Sequence, residues 1–281
     1  MQFVQANGLR FAYLTEGSGP LVLLLHGFPD TARTWDRVMP EIARAGFRVV
    51  APFMRGYHPT EIPAHATYDA ETLGRDVLGL IEALGEQQAI VVGHDWGALA
   101  AYTAASLGPE HVRALVTVGV PHPNSITPTP MMLWTVRHFF VLRSRRAAAR
   151  ARANDHAYID HLWRRWSPAW RDLPASETAD VKRAFAEPGC LEAACAYYGA
   201  LSPFVPAVLK TKIAVPTVVF AGLHDTISPR PFEKARRCFA KSYEVVTVPG
   251  GHFMHRQHPD EFIAALTRVL HDSGRAHQGE S

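Results

Sequence analysis

"VVGHDWGALA" runs from Val91 to Ala100. A β-branched run ends in Gly-His-Asp-Trp-Gly and passes directly into helix-forming residues. A tight strand-to-helix turn holds its central residue in a strained backbone and needs small residues on either side. Gly93, Gly97 and Ala98 meet that need, with Asp95 at the centre. Asp95 could instead merely cap the following helix, because aspartate is a favoured N-cap. A cap requires neither flanking glycines nor partners elsewhere in the chain. The partners therefore decide between the two readings.

Outward from this turn, strands and helices alternate. Phe3 to Ala6 and Arg10 to Leu14 read as strands around an Asn7-Gly8 turn. Leu21 to Leu25 is a continuous apolar run, as in a strand buried on both faces. A helical stretch from Trp35 to Ala45 precedes a strand from Phe47 to Ala51. Leu73, Val77, Leu80, Ile81 and Leu84 recur at helical spacing. Strands at Ala89 to Val92 and Ala114 to Val118 flank a helix from Trp96 to Leu107. This is the pattern of a parallel sheet covered by helices on both faces, an α/β class.

The pattern breaks between about Pro121 and Pro206, where prolines, tryptophans and helical stretches replace strands. It returns with strands at Val215 to Ala221 and Tyr243 to Val248, a helix after Pro231, and a last helix from Pro259 to about Leu270. The expected organisation is an α/β core (residues 1–120 and 207–281) interrupted by a helical lid (121–206). Gly274 to Ser281 reads as a frayed tail.

Bulk properties narrow the function classes. The net charge of +3, from 29 basic and 26 acidic side chains, gives no case for a nucleic-acid partner. The one basic run, Arg143 to Arg152, reads as a solvated helix face. Three cysteines, none in a Cys-x-x-Cys pair, fit a reducing compartment. There is no signal-peptide pattern, and "LVLLL" is too short to span a bilayer. The expectation is a cytoplasmic monomer or homodimer with no membrane partner. His252, His255 and His258 lack a carboxylate-rich companion motif, so no metal is expected.

Three partners of Asp95 stand elsewhere in the chain. "LLLHGFPD" (Leu23 to Asp30) places a His-Gly turn after a buried strand. Asp225 in "VVFAGLHDTISP" follows a second strand, and His252 in "VVTVPGGHFMH" follows a third through a Pro-Gly-Gly turn. The order is nucleophile, acid, histidine. Together these residues resemble the α/β-hydrolase superfamily over nearly the whole chain. His-Gly-Phe-Pro plus Gly-His-Asp-Trp-Gly resembles the branch of epoxide hydrolases and haloalkane dehalogenases. The "MRGYHPTE" run (Met54 to Glu61) is similar to the Arg-Gly-Tyr loop of that branch. The resemblance implies a mostly parallel eight-stranded sheet and a cis peptide before Pro29. It also implies an oxyanion hole made by the N–H groups of Phe28 and Trp96. In some relatives the acid follows the strand before the lid, but "VGVPHPNS" has no carboxylate, which favours Asp225.

Aspartate suits attack on saturated carbon. A serine would form an ether that water does not readily cleave, whereas a carboxylate forms an ester that water can attack. Aspartate is ionised near neutrality without a base. His252 is then free to activate water for the second step, held in its tautomer by Asp225.

The leaving group is not fixed by the elbow. An epoxide leaves as an alkoxide and needs a proton donor; a halide needs only N–H donors. In the epoxide hydrolases two lid tyrosines donate. The second resembles "LEAACAYYGALSPF", where Tyr198 is the candidate and Tyr197 lies about 100° away around the helix. The first should fall in "MLWTVRHFFVLRS", which holds no tyrosine; His138 there, or Tyr158, could stand in. For a halide, Trp96 would need a second donor from Trp134, Trp163 or Trp166. Phe28, Trp35, Trp96, Phe139, Phe140 and Tyr197 are expected to line a hydrophobic substrate site. The implied activity is opening of a small hydrophobic epoxide to a vicinal diol, with no cofactor. Haloalkane dehalogenation and silent ligand binding are the alternatives.

Overall fold

A computed structural model describes the chain apart from Ala66, Pro203 and residues 276–281. Eight strands form one sheet: β1 (Gln2–Ala6), β2 (Leu9–Glu16), β3 (Leu21–Leu25), β4 (Arg48–Pro52), β5 (Ala89–His94), β6 (Val112–Val118), β7 (Thr217–Gly222) and β8 (Tyr243–Val248). Their order is β1-β2-β4-β3-β5-β6-β7-β8. The pairs β1–β2 and β2–β4 are antiparallel and the remaining five are parallel. The first hairpin turns on Asn7 and Gly8, both with positive φ (44° and 77°), as a two-residue turn with right-handed strand twist requires. All five residues of β3 are buried, which explains its unbroken run of Leu and Val.

Helices cover both faces. The core contributes α1 (Met39–Arg44), α2 (Ala70–Ala83) and α3 (Trp96–Leu107). The segment between β6 and β7 adds α4 (Pro130–Thr135), α5 (His138–Leu142), α6 (Ala147–Trp166), α7 (Ala175–Ala186) and α8 (Cys190–Ala200). The core then resumes with α9 (Arg230–Lys234), α10 (Met254–Gln257) and α11 (Pro259–Arg275). No strand interrupts α4 to α8 among the described residues. The helix expected from Trp35 to Ala45 is instead a 3-10 turn (Ala32–Trp35) followed by α1. Pro40 sits in the first turn of α1, where its missing N–H costs nothing. The last helix continues through Arg275, past the expected start of a frayed tail, and the rest of that tail lies outside the described residues.

The strand order reverses between β3 and β5, so the loops leaving their C-terminal ends diverge and open a crevice. The pairing Leu25↔Gly93 sets the His-Gly-Phe-Pro loop beside the Gly-His-Asp-Trp-Gly turn. The inserted helices roof this edge and are fastened to it. The indole of Trp163 donates to the Pro29 carbonyl (3.0 Å) and stacks on Phe253 with ring centroids 3.7 Å apart. Glu177, buried on α7, accepts from Arg37 (2.7 Å) and Arg256 (2.8 Å) of the core.

Candidate active site

Asp95 adopts φ 52°, ψ −115°, a conformation costing a non-glycine residue on the order of 1–3 kcal/mol. Its side chain makes no capping bond to α3, so the capping role does not apply. The surrounding glycines make room for the turn. A Cβ on Gly93 would lie 2.2 Å from the Gly97 carbonyl oxygen, and one on Gly97 would lie 2.5 Å from that of Leu25. A Cβ on Gly27 would lie 2.4 Å from the Asp95 side chain and 2.6 Å from the Trp96 nitrogen. Gly27 thus lets the carboxylate and two backbone N–H groups approach one another. Phe28 N–H donates to Asp95 Oδ1 at 2.8 Å. The peptide bond between Phe28 and Pro29 is cis.

The other carboxylate oxygen, Oδ2, lies 3.5 Å from His252 Nε2. That is an ion-pair distance but too long for a good hydrogen bond, and Nε2 has no hydrogen-bond partner. On the far side of the ring, His252 Nδ1 is 3.3 Å from Asp225 Oδ2. Asp225 is oriented in turn: its Oδ1 accepts from Ile227 N–H (3.1 Å) and the Thr226 hydroxyl (3.3 Å). Burial pulls the His252 pKa down, but Asp225 and Asp95 outweigh it and raise the value to about 10. Resting His252 is therefore an imidazolium between two carboxylates.

The backbone of His252 is held at both ends. Its N–H donates to the Trp166 carbonyl of α6, and its carbonyl accepts from His94 Nε2, each at 3.0 Å. His94, within the opening motif, is a functional neighbour that the sequence reading missed; its place just before Asp95 was the available signal. His26 stays structural: Nδ1 donates to the Gly27 carbonyl and Nε2 accepts from Met54 N–H, each at 3.0 Å. Burial lowers the His26 pKa to about 4, so it is neutral.

Above Asp95 lies a cavity of about 600 Å³ whose wall includes Trp96, His138, Phe139, Trp166, Tyr198 and His252. Tyr198 packs edge-on to Trp96 and Phe28, each with ring centroids 5.2 Å apart. Burial and the Asp95 charge raise the Tyr198 pKa well above the usual tyrosine value. Its hydroxyl therefore keeps its proton. The ring of His138 lies 5.9 Å from that of Tyr198. Burial pulls the His138 pKa down to about 3, against Asp95 and the Thr135 carbonyl, and its Nδ1 has no hydrogen bond of good geometry.

Four residues expected to contact substrate do not line the cavity. Trp35 is fully buried in the core against His255 and Phe262, because the 3-10 turn rotates it away from the crevice. Phe140 is 68% exposed, on the outer side of the short helix whose inner side carries Phe139. The Phe28 side chain packs behind the wall against Phe185 and Tyr198, leaving only its N–H at the site. Tyr197 donates its hydroxyl to the Arg55 carbonyl at 2.8 Å, pointing away from Asp95. In their place, Leu99, Val136 and Leu201 supply apolar wall. Leu99 could have been found, since it lies one helical turn after Asp95. Tyr158 is outside the wall, Trp134 is 64% exposed, and the Trp163 N–H is taken by Pro29.

The profile of the alpha/beta hydrolase fold matches residues 20–259, and the chain belongs to that family. Its relatives divide the picture more finely. It is 30% identical to the AB hydrolase superfamily protein YfhM of Bacillus subtilis, over 92% of this chain and 93% of that protein. It is 27% identical to epoxide hydrolase 4 of Mus musculus, over 97% of this chain and 79% of that one. The crystal structure of epoxide hydrolase A from Mycobacterium thermoresistibile superposes with a TM-score of 0.82 at 25% identity, covering 96% of this chain and 97% of that one. Within the family the chain is an epoxide hydrolase-like hydrolase.

Proposed function

We propose that this protein opens small hydrophobic epoxides to vicinal diols through a covalent ester on Asp95. The observation that carries the reading is a carboxylate at the elbow, set between a backbone N–H and a buried imidazole beneath an apolar cavity. In the first step an Asp95 oxygen attacks an oxirane carbon and the ring C–O bond breaks. The departing oxygen takes a proton from Tyr198, whose burial keeps it protonated until that moment. His138 shares the cavity wall and, as a neutral imidazole, supplies a second N–H toward the same oxygen.

Ester formation removes the Asp95 charge, one of the two carboxylates that hold the His252 pKa up. His252 then gives up its proton more readily, and that proton restores the Tyr198 hydroxyl, leaving His252 as a base just when one is needed. Neutral His252 takes a proton from water, which attacks the ester carbonyl. The tetrahedral oxyanion faces the N–H groups of Phe28 and Trp96. Its collapse breaks the ester C–O bond, the added hydroxyl's proton passes to the departing alkoxide, and the diol leaves with the Asp95 carboxylate and the His252 imidazolium restored. The net reaction is epoxide plus water, and this chain's residues supply every proton transfer without a cofactor.

Several features count against a halide leaving group. Trp163 is engaged with Pro29, and Trp134 stands outside the cavity. Trp166 alone of the candidate second donors faces the cavity. The test is a panel of neutral apolar epoxides and matched haloalkanes, read for diol and for free halide. Diol from epoxides without halide release is the expected result. Halide release without diol would replace the proposal with dehalogenation, and neither product from folded protein would favour a silent binder.

A further inference from the structure

The mouth of the cavity carries two features that catalysis does not use. The first is exposed apolar surface. Leu133 and Phe204 line the cavity and are 53% and 76% exposed, and beside them Met131 and Trp134 are 73% and 64% exposed. Soluble surfaces usually scatter such side chains singly; a cluster at an opening marks a contact surface. The second is an excess of basic charge on the inserted segment, opposite the Asp69 and Glu71 carboxylates of the cavity lining. Between His111 and Asn154 the chain has seven arginines, no lysine and no acidic residue.

Arg137 and Arg143 of this stretch, with Arg165 of α6, touch the same apolar rim. The guanidinium of Arg137 sits 4.1 Å from the centre of the Trp134 ring. Arg165 donates to the carbonyls of Trp134 (3.0 Å) and Thr135 (2.8 Å). Arg143 donates to the Leu201 carbonyl at 3.3 Å, three residues before Phe204. Arg145 and Arg146 are exposed on the turn that follows. Among the described residues none of these five arginines enters an ion pair, although fifteen such pairs occur elsewhere. Uncompensated guanidiniums beside an exposed indole complement a surface that is anionic outside and apolar within.

We propose that the rim formed by α4, the start of α5 and Leu201, Ser202, Phe204 and Val205 docks on the surface of an anionic phospholipid bilayer. The apolar side chains enter the headgroup boundary while the arginines meet lipid phosphates. Among the described residues no helix is long and apolar enough to cross a membrane, so the contact is peripheral. A bilayer fits better than an acidic protein because the patch surrounds an apolar cavity. A lipophilic ligand could pass from lipid to cavity without crossing water.

The test is co-sedimentation of the full-length protein with vesicles. One set is phosphatidylcholine alone and the other contains about 30% phosphatidylglycerol. Binding to the anionic set should be at least about tenfold tighter and should weaken steeply with salt. Trp134→Ser and, separately, Arg145→Glu with Arg146→Glu should each weaken it by about tenfold or more. The paired arginine variant should keep wild-type turnover of a water-soluble epoxide, and circular dichroism checks folding of both. Wild-type protein that ignores anionic vesicles would overturn the proposal. So would binding unchanged in either variant, or binding equal on both vesicle sets. None of these readouts requires epoxide turnover, so the proposal stands or falls separately from the catalytic one.

Discussion

Replacing Asp95 with Asn mimics, in charge, the ester that the first step would form. The carboxylate oxygen lies 3.5 Å from His252 Nε2. At an effective dielectric of about 20, two unit charges at that distance interact by ~5 kcal/mol. One pKa unit corresponds to about 1.4 kcal/mol, so this contact alone could move the imidazole by roughly 3 pH units. Asp95 is partly exposed, with 17% of its side-chain surface reaching solvent, which screens part of that effect. We expect His252 to titrate near 10 in the native protein and about 2 pH units lower in Asp95→Asn. Nitrogen-15 spectra of the imidazole, recorded across pH 5 to 11 on protein of verified mass, measure both values. The raised pKa also stabilises the fold. That contribution is complete below the unfolded value of about 6.5 and disappears as pH rises through about 10, and it should shrink in the variant. A His252 that titrates near 6.5 in native protein, or at the same pH in both proteins, would refute this electrostatic coupling.

Three further outcomes follow from the packing. Tyr198→Phe removes the proton donor while keeping the ring, and should lower kcat/KM for epoxides by about 100-fold or more in single-turnover kinetics. Gly93→Ala puts a methyl 2.2 Å from the Gly97 carbonyl, and backbone cannot yield cheaply there. A loss of about 1–3 kcal/mol, seen as a lower Tm or denaturation midpoint, is expected. Trp35→Ala should cost about 3–5 kcal/mol in chemical denaturation yet leave the order of preferred substrates unchanged, because Trp35 packs on His255 and not on the cavity. A changed preference would return Trp35 to the substrate wall.

The legible parts of the sequence were those fixed by backbone demands. Gly93 and Gly97 announce the elbow because no Cβ fits there, and the all-apolar Leu21 to Leu25 announces a strand covered on both sides. Alternating strands and helices carried the sheet. What faces the cavity was harder to read, because the inserted helices set the wall through tertiary packing. Phe139 and Phe140 are neighbours on a five-residue helix, and one step of about 100° sends one inward and the other to solvent. Trp35 reads from its type alone as apolar wall, but a 3-10 turn in place of an α-helix directs it into the core. The run from Arg143 to Arg152 read as an ordinary solvated face. Its relation to Trp134 and the cavity mouth depends on where α4, α5 and α8 meet.

The central claim is that Asp95 forms a covalent ester which His252 then helps to hydrolyse. His252→Gln should leave the first step intact and block the second. The most direct measurement is the intact mass of that variant after exposure to an epoxide, followed by peptide mapping. The account predicts a stable gain equal to the whole epoxide, located on Asp95. An unmodified His252→Gln protein, under conditions where the native enzyme turns the same epoxide over, would contradict it, as would an adduct on any other residue.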